Sequence, residues 1–129
     1  MHIYIGGAYN CKTEYVKRWI GYQPAFFCTM ETAASAKPGE RLVITDVHEW
    51  LKNTQLTEEQ ANEAVQAVSK SDTVFILTEI GRGVVPLEAE QRELRDRCGR
   101  VYQQLCKEAS DVTRIWYGIP QSIKRSGDE

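Results

Sequence analysis

The sequence is short of the residues that build metal centres. Of its 129 residues only two are histidines, His2 and His48, and its four cysteines, at 11, 28, 98 and 106, form no Cys-x-x-Cys pair. A zinc site is poorly supported by that spacing. Cys28 lies in an apolar run, and Cys98 and Cys106 fall on the apolar side of a helical pattern, so these three read as buried thiols. No stretch approaches the ~18 consecutive apolar residues of a membrane span, and the N-terminus has no basic region followed by a long apolar run. The expectation is a cytoplasmic protein with no membrane span. Basic residues are not in excess either: 16 Lys and Arg stand against 18 Asp and Glu. A net charge of -2 argues against a general nucleic-acid surface, whose affinity rests on clustered Lys and Arg. Repeats and low-complexity segments are missing.

What is present is an ordinary globular composition, 42% hydrophobic and 26% charged, of a size that fits one domain burying roughly two-thirds of its unfolded surface. The expected domain runs over residues 1–124, with 125–129 a frayed tail. Apolar runs at Ile3-Ile5, Ala25-Thr29, Leu42-Thr45, Val74-Leu77 and Val112-Tyr117 predict strands. Between them, Thr13 to Ile20 predicts a short helix with Val16, Trp19 and Ile20 on one face. Thr57-x-x-Gln60 is a capping box, behind which Ala61, Ala64, Val65 and Val68 repeat at helical spacing. The longest helix is predicted from Pro86 to Ala109, with a stripe of Leu87, Leu94, Cys98, Val101, Tyr102, Leu105 and Ala109, and with Pro86 in the first turn, where its missing N–H is no loss. Gly99 interrupts it at a cost of ~1 kcal/mol relative to alanine, which suggests close packing against a neighbouring backbone. Glu31 to Glu40 has no apolar period and reads as a flexible loop. Strands alternating with helices give an α/β fold, a mostly parallel sheet with helices on both faces.

Function in such sheets collects at the carboxyl ends of the strands, and three features converge there. The first is Gly6-Gly7-Ala8-Tyr9-Asn10-Cys11-Lys12-Thr13, between the first strand and the first helix. It matches the phosphate-binding loop template Gly-x-x-x-x-Gly-Lys-Ser/Thr at Gly6, Lys12 and Thr13, with Cys11 where the second glycine belongs. In such a loop backbone N–H groups curl round the phosphates, the lysine neutralises them and the hydroxyl holds magnesium. A cysteine in a left-handed conformation would cost on the order of 1–2 kcal/mol there. The alternative is an ordinary strand-to-helix turn. Cys11 beside Lys12 at a helix N-terminus is also a setting that lowers a thiol pKa, although a redox role lacks a resolving cysteine.

The second feature is Asp46, which ends the strand Leu42-Thr45, the usual place of the carboxylate that orients magnesium; the alternative is an N-cap for a helix starting near Val47. The third is Glu79-Ile80-Gly81-Arg82-Gly83. Here Glu79 is placed to meet a substrate hydroxyl or a metal-bound water and Arg82 to offset phosphate charge, or the two form a surface ion pair. His48, beside Glu49, is either a general acid or base or a solvent-facing residue of a helix first turn. Tyr102, Trp116 and Tyr117 read as core or interface aromatics, and Trp19 and Trp50 as the same.

Thr78-Glu79-Ile80-Gly81-Arg82-Gly83-Val84-Val85-Pro86, then Leu94-Arg95-Asp96-Arg97-Cys98-Gly99-Arg100-Val101, Gln104-Leu105 and the 111–118 segment together make a more specific signal. They are similar to the C-terminal half of the bifunctional adenosylcobinamide kinase and adenosylcobinamide-phosphate guanylyltransferase family of cobalamin synthesis. That family's pattern is roughly Asn-Glu-Val-Gly-x-Gly-Ile-Val-Pro followed by Arg-Asp-x-x-Gly-x-x-Asn-Gln. Gly6-Gly7-Ala8 and Lys12-Thr13 resemble its Gly-Gly-Ala-Arg-Ser-Gly-Lys-Ser loop. The resemblance implies a RecA-like phosphate-loop NTPase fold, ATP or GTP with magnesium, a corrinoid such as adenosylcobinamide as partner, and a homo-oligomer, often a trimer. It also implies roles: Gly6 to Thr13 and Arg82 bind nucleotide, Lys12, Asp46 and Glu79 act in catalysis, and Thr13 and Asp46 hold the metal. Cys11, Thr78 and Tyr102 depart from the pattern. So does Thr29 to Glu40, which contains no histidine where the family carries the one that takes up GMP. The implied activity is kinase-like phosphoryl transfer without guanylyl transfer, and the alternative is a non-catalytic nucleotide-binding or scaffold protein. Lys12 is expected to face solvent in the empty loop.

Overall fold

A computed structural model describes residues 1–7, 11–79 and 88–125. Six strands, β1 (His2–Gly6), β2 (Ala25–Cys28), β3 (Arg41–Ile44), β4 (Val74–Thr78), β5 (Asp111–Trp116) and β6 (Ile119–Lys124), form one sheet in the order β2-β3-β4-β1-β5-β6. The pairings among β1 to β5 are parallel, and β6 returns antiparallel to β5. The helices are α1 (Lys12–Ile20), α2 (Val47–Asn53), α3 (Glu58–Val68) and α4 (Ala89–Glu108). This is the mostly parallel α/β architecture of phosphate-loop NTPases, with β4 lying between β1 and β3.

Strand alternation divides the core in two. On one face Tyr4, Val43, Ile76 and Ile115 pack with Val16 and Ile20 of α1. On the other, Ile3, Ile44, Phe75 and Leu77 pack with Leu51, Val65, Val101 and Leu105 of α2, α3 and α4. Burial on both faces is why the central strand β4 reads as a continuous apolar run. The capping box of α3 is formed: Gln60 N donates to Thr57 Oγ1 at 3.1 Å and Thr57 N to Gln60 Oε1 at 3.0 Å.

Four expectations change. First, α4 begins at Ala89, because Glu88 is extended (φ −82°, ψ 136°); Pro86 and Leu87 lie outside the described residues. Second, a β-carbon on Gly99 would meet nothing within 4 Å among the described residues, so no neighbouring backbone there explains that glycine. Third, the 31–40 connection carries a 3₁₀ turn at Ala33–Ser35, with Ala33 buried in the core. Fourth, β6 was not predicted. Its residues are almost all exposed, so burial imposes no apolar alternation, and a two-residue turn with Tyr117 at φ 50° and Gly118 at φ 76° reverses the chain.

Candidate functional site at the carboxyl edge of the sheet

Because β1, β2, β3 and β4 are parallel, their carboxyl ends share one edge, and the segments leaving them surround a cavity of about 600 Å³. Lys12 and Thr13 of α1, Asp46 beyond β3 and Thr78 of β4 line it. The far wall is Phe27 and Thr29 at the end of β2, and the Lys17 ammonium stands 5.7 Å from the centre of the Phe27 ring.

Lys12 is not solvent-facing. It is only 8% exposed, and its Nζ donates to the Gly7 carbonyl at 2.7 Å. Burial holds its ammonium below the ordinary lysine range, and the carboxylates of Glu79 and Asp46 oppose that shift. At the same place β5 comes close to β1: a β-carbon on Gly6 would lie 2.3 Å from the Ile115 carbonyl oxygen and 3.4 Å from Lys12 Cδ. Glycine at position 6 is therefore required by the Ile115 carbonyl, while the lysine stem lies within ordinary contact distance of it.

Cys11, exposed, occupies the left-handed conformation expected of the missing glycine, with φ 61° and ψ 31°. Asp46 is also left-handed, φ 58° and ψ 35°, a conformation that aspartate tolerates better than most residues. It precedes α2 without any side-chain cap bond. Its Oδ2 instead accepts from Thr45 Oγ1 at 3.2 Å, which leaves the carboxylate on the cavity side. Glu79 N donates to the Gly6 carbonyl at 2.9 Å, tying the end of β4 to the start of the loop. The Glu79 carboxylate pairs with Arg114 of β5 at 3.3 Å. Arg114 was not legible beforehand, since only the β1–β5 register brings it across from the end of β4.

Ala8, Tyr9, Asn10 and Arg82 lie outside the described residues. His48 is not among the residues lining the cavity: its side chain is 21% exposed, its Nε2 stands 3.5 Å from Glu49 Oε1, and its buried Nδ1 has no hydrogen-bond partner among the described residues. The solvent-facing expectation for it is thus corrected. Tyr102 reaches the site edge, donating from its hydroxyl to the Thr78 carbonyl at 2.9 Å, and burial pushes its phenol above the ordinary range. Trp50 is buried and Trp19 half-exposed against Tyr4, whereas Trp116 and Tyr117 are 59% and 75% exposed and belong to no core.

The chain matches the family model of cobinamide kinase / cobinamide phosphate guanyltransferase over residues 17–123. It is 33% identical over 85 residues to the bifunctional adenosylcobalamin biosynthesis protein CobU of Escherichia coli (strain K12), a match covering 61% of this chain and 46% of that protein. The chain thus matches under half the length of that relative. The family match begins at Lys17, past the 6–13 loop, so what is said of the loop rests on its spacing and geometry.

Proposed function

Because the chain belongs to the cobinamide kinase / cobinamide phosphate guanyltransferase family, we propose that it binds ATP or GTP over the Gly6–Thr13 loop and transfers the γ-phosphoryl group to a hydroxyl of a corrinoid such as adenosylcobinamide. The observation that carries this reading is the convergence of Lys12, Thr13 and Asp46 on one cavity at the strand ends. Lys12 leaves the Gly7 carbonyl to offset phosphate charge as it develops, the kind of fixed electrostatic stabilisation on which phosphoryl transfer depends. Glu79, braced by Arg114, orients the acceptor hydroxyl for in-line attack on the γ-phosphorus; the bond from that phosphorus to the bridging oxygen breaks, the nucleoside diphosphate leaves with the electron pair, and the hydroxyl proton passes to solvent. Thr13 and Asp46 offer hard oxygen donors along the same wall, a set suited to magnesium, which keeps several waters and takes one or two protein oxygens beside substrate phosphates. When bound, magnesium would neutralise phosphate charge.

The guanylyltransferase half of the family's activity is absent on this reading, because Thr29 to Glu40 holds no histidine and His48 is not among the cavity-lining residues. The working unit is a homo-oligomer, a trimer by family resemblance, acting in the cytoplasm. A second reading, a non-catalytic nucleotide-binding or scaffold protein, is favoured by Cys11 at the glycine position. Labelled γ-phosphate decides between them. Transfer from ATP or GTP to adenosylcobinamide, lost in Asp46→Asn, supports the kinase; nucleotide binding with no transfer supports the scaffold.

A further inference from the structure

Resting on that nucleotide-site reading, we propose that Trp116 and Tyr117, at the tip of the β5–β6 hairpin, form the stacking platform for the purine base of the bound nucleotide. Direction comes first. Thr13, Asp46 and Glu79 mark where the terminal phosphates lie, and Asp46 and Glu79 follow β3 and β4, on one side of β1. The nucleoside end then leaves on the other side of β1, over β5. Register comes second: Ile5 pairs with Arg114, so Trp116, two residues on, stands level with Gly7, where the loop begins.

The rings themselves are free to take a ligand. They are 59% and 75% exposed, with centroids 5.6 Å apart and planes inclined by 37°, so two aromatic faces are held side by side without contributing to the core. Tyr117 keeps this place at φ 50°, a conformation that bulky residues rarely adopt and that the turn alone would assign to Asn, Asp or Gly. Strand addition does not account for the patch. Pro120 pairs with Ile115 one residue beyond the turn-flanking Trp116–Ile119 pair, which sets its backbone on the free edge of β6, where a missing N–H obstructs further pairing. Base stacking on an aromatic face tolerates any base, consistent with a site that takes ATP or GTP.

The test titrates ATP, GTP and inorganic tripolyphosphate, each with magnesium, into wild type, Trp116→Ala, Tyr117→Ala and the conservative Trp116→Phe and Tyr117→Phe, with circular dichroism and sedimentation velocity on each. The alanine variants are expected to lose about five- to hundredfold in affinity for both nucleotides. Tripolyphosphate, which has no base, is expected to bind all five proteins alike, and the phenylalanine variants to keep most of the nucleotide affinity. Alanine variants that bind nucleotides as tightly as wild type, lose tripolyphosphate in equal measure, or weaken only because their oligomeric state changes overturn the platform and leave the phosphate site standing. A wild type that binds none of the three ligands overturns the site reading, and the platform with it.

Discussion

Lys12 donates its Nζ to the carbonyl of Gly7 at 2.7 Å, so the loop satisfies its own lysine before any phosphate arrives. The ammonium is buried, and burial outweighs the carboxylates of Glu79 and Asp46 in setting its pKa. A charge held at a cost in the free protein is available for a ligand that carries more negative charge than the loop does.

Replacing this residue separates stability from binding. Lys12→Met keeps the stem and removes the charge, so the variant is expected to fold at least as stably as wild type near pH 8 and to lose triphosphate binding. The pH dependence has a definite sign. With its pKa lowered in the folded state, Lys12 binds fewer protons there than in the unfolded chain just below the ordinary lysine value of 10.5, so its contribution to stability rises as pH rises through that window. Urea denaturation across the window is expected to show wild type gaining on Lys12→Met as pH increases. Wild type losing stability relative to Lys12→Met as pH rises would mean that the carboxylates dominate.

Cys11 already sits at φ 61°, so its strain is present in the free protein and not imposed by nucleotide. Cys11→Gly is therefore expected to leave nucleotide affinity within about twofold. Its stability change is expected to be small and favourable, because ~1–2 kcal/mol of left-handed strain is relieved against up to ~1 kcal/mol of added unfolded-chain entropy. Titration and denaturation of the same variant check both halves. Binding tighter by tenfold would show that the loop rearranges on binding.

Two glycines are expected to answer in opposite directions. A β-carbon on Gly6 meets the Ile115 carbonyl at 2.3 Å, while one on Gly99 meets nothing within 4 Å. Gly6→Ala is expected to cost about 1–3 kcal/mol by forcing β1 from β5. Gly99→Ala is expected to add roughly 0.5–1 kcal/mol in the middle of α4. Equal effects would contradict the close approach of the two strands.

Incubation with GTP and magnesium is expected to leave the intact mass unchanged, since the 29–40 connection offers no histidine. An acid-labile gain of one GMP that disappears in His48→Ala would show that the nucleophile had moved to α2.

The strands carrying the site were legible because β1, β3 and β4 bury apolar side chains and run into a glycine or a carboxylate: Gly6, Asp46 and Glu79 mark the edge without any knowledge of packing. The left-handed geometry of Cys11 was legible too, from the glycine it replaces. Lys12's burial was not. It follows from the tertiary packing around the start of α1, which no local pattern encodes, and the β1–β5 register that supplies Arg114 to Glu79 is long-range in the same way. β6 is illegible in the sequence for the opposite reason: an exposed edge strand is selected by its turn and not by burial, so it carries no apolar alternation.

Whether the Gly6–Thr13 loop and Asp46 form a nucleotide-phosphate site is read by isothermal titration of wild type and Lys12→Ala with ATP and GTP, with and without magnesium. Saturable binding by wild type that strengthens with magnesium and is abolished in Lys12→Ala is expected; equal affinity in both proteins, or no binding by either, would rule the site out.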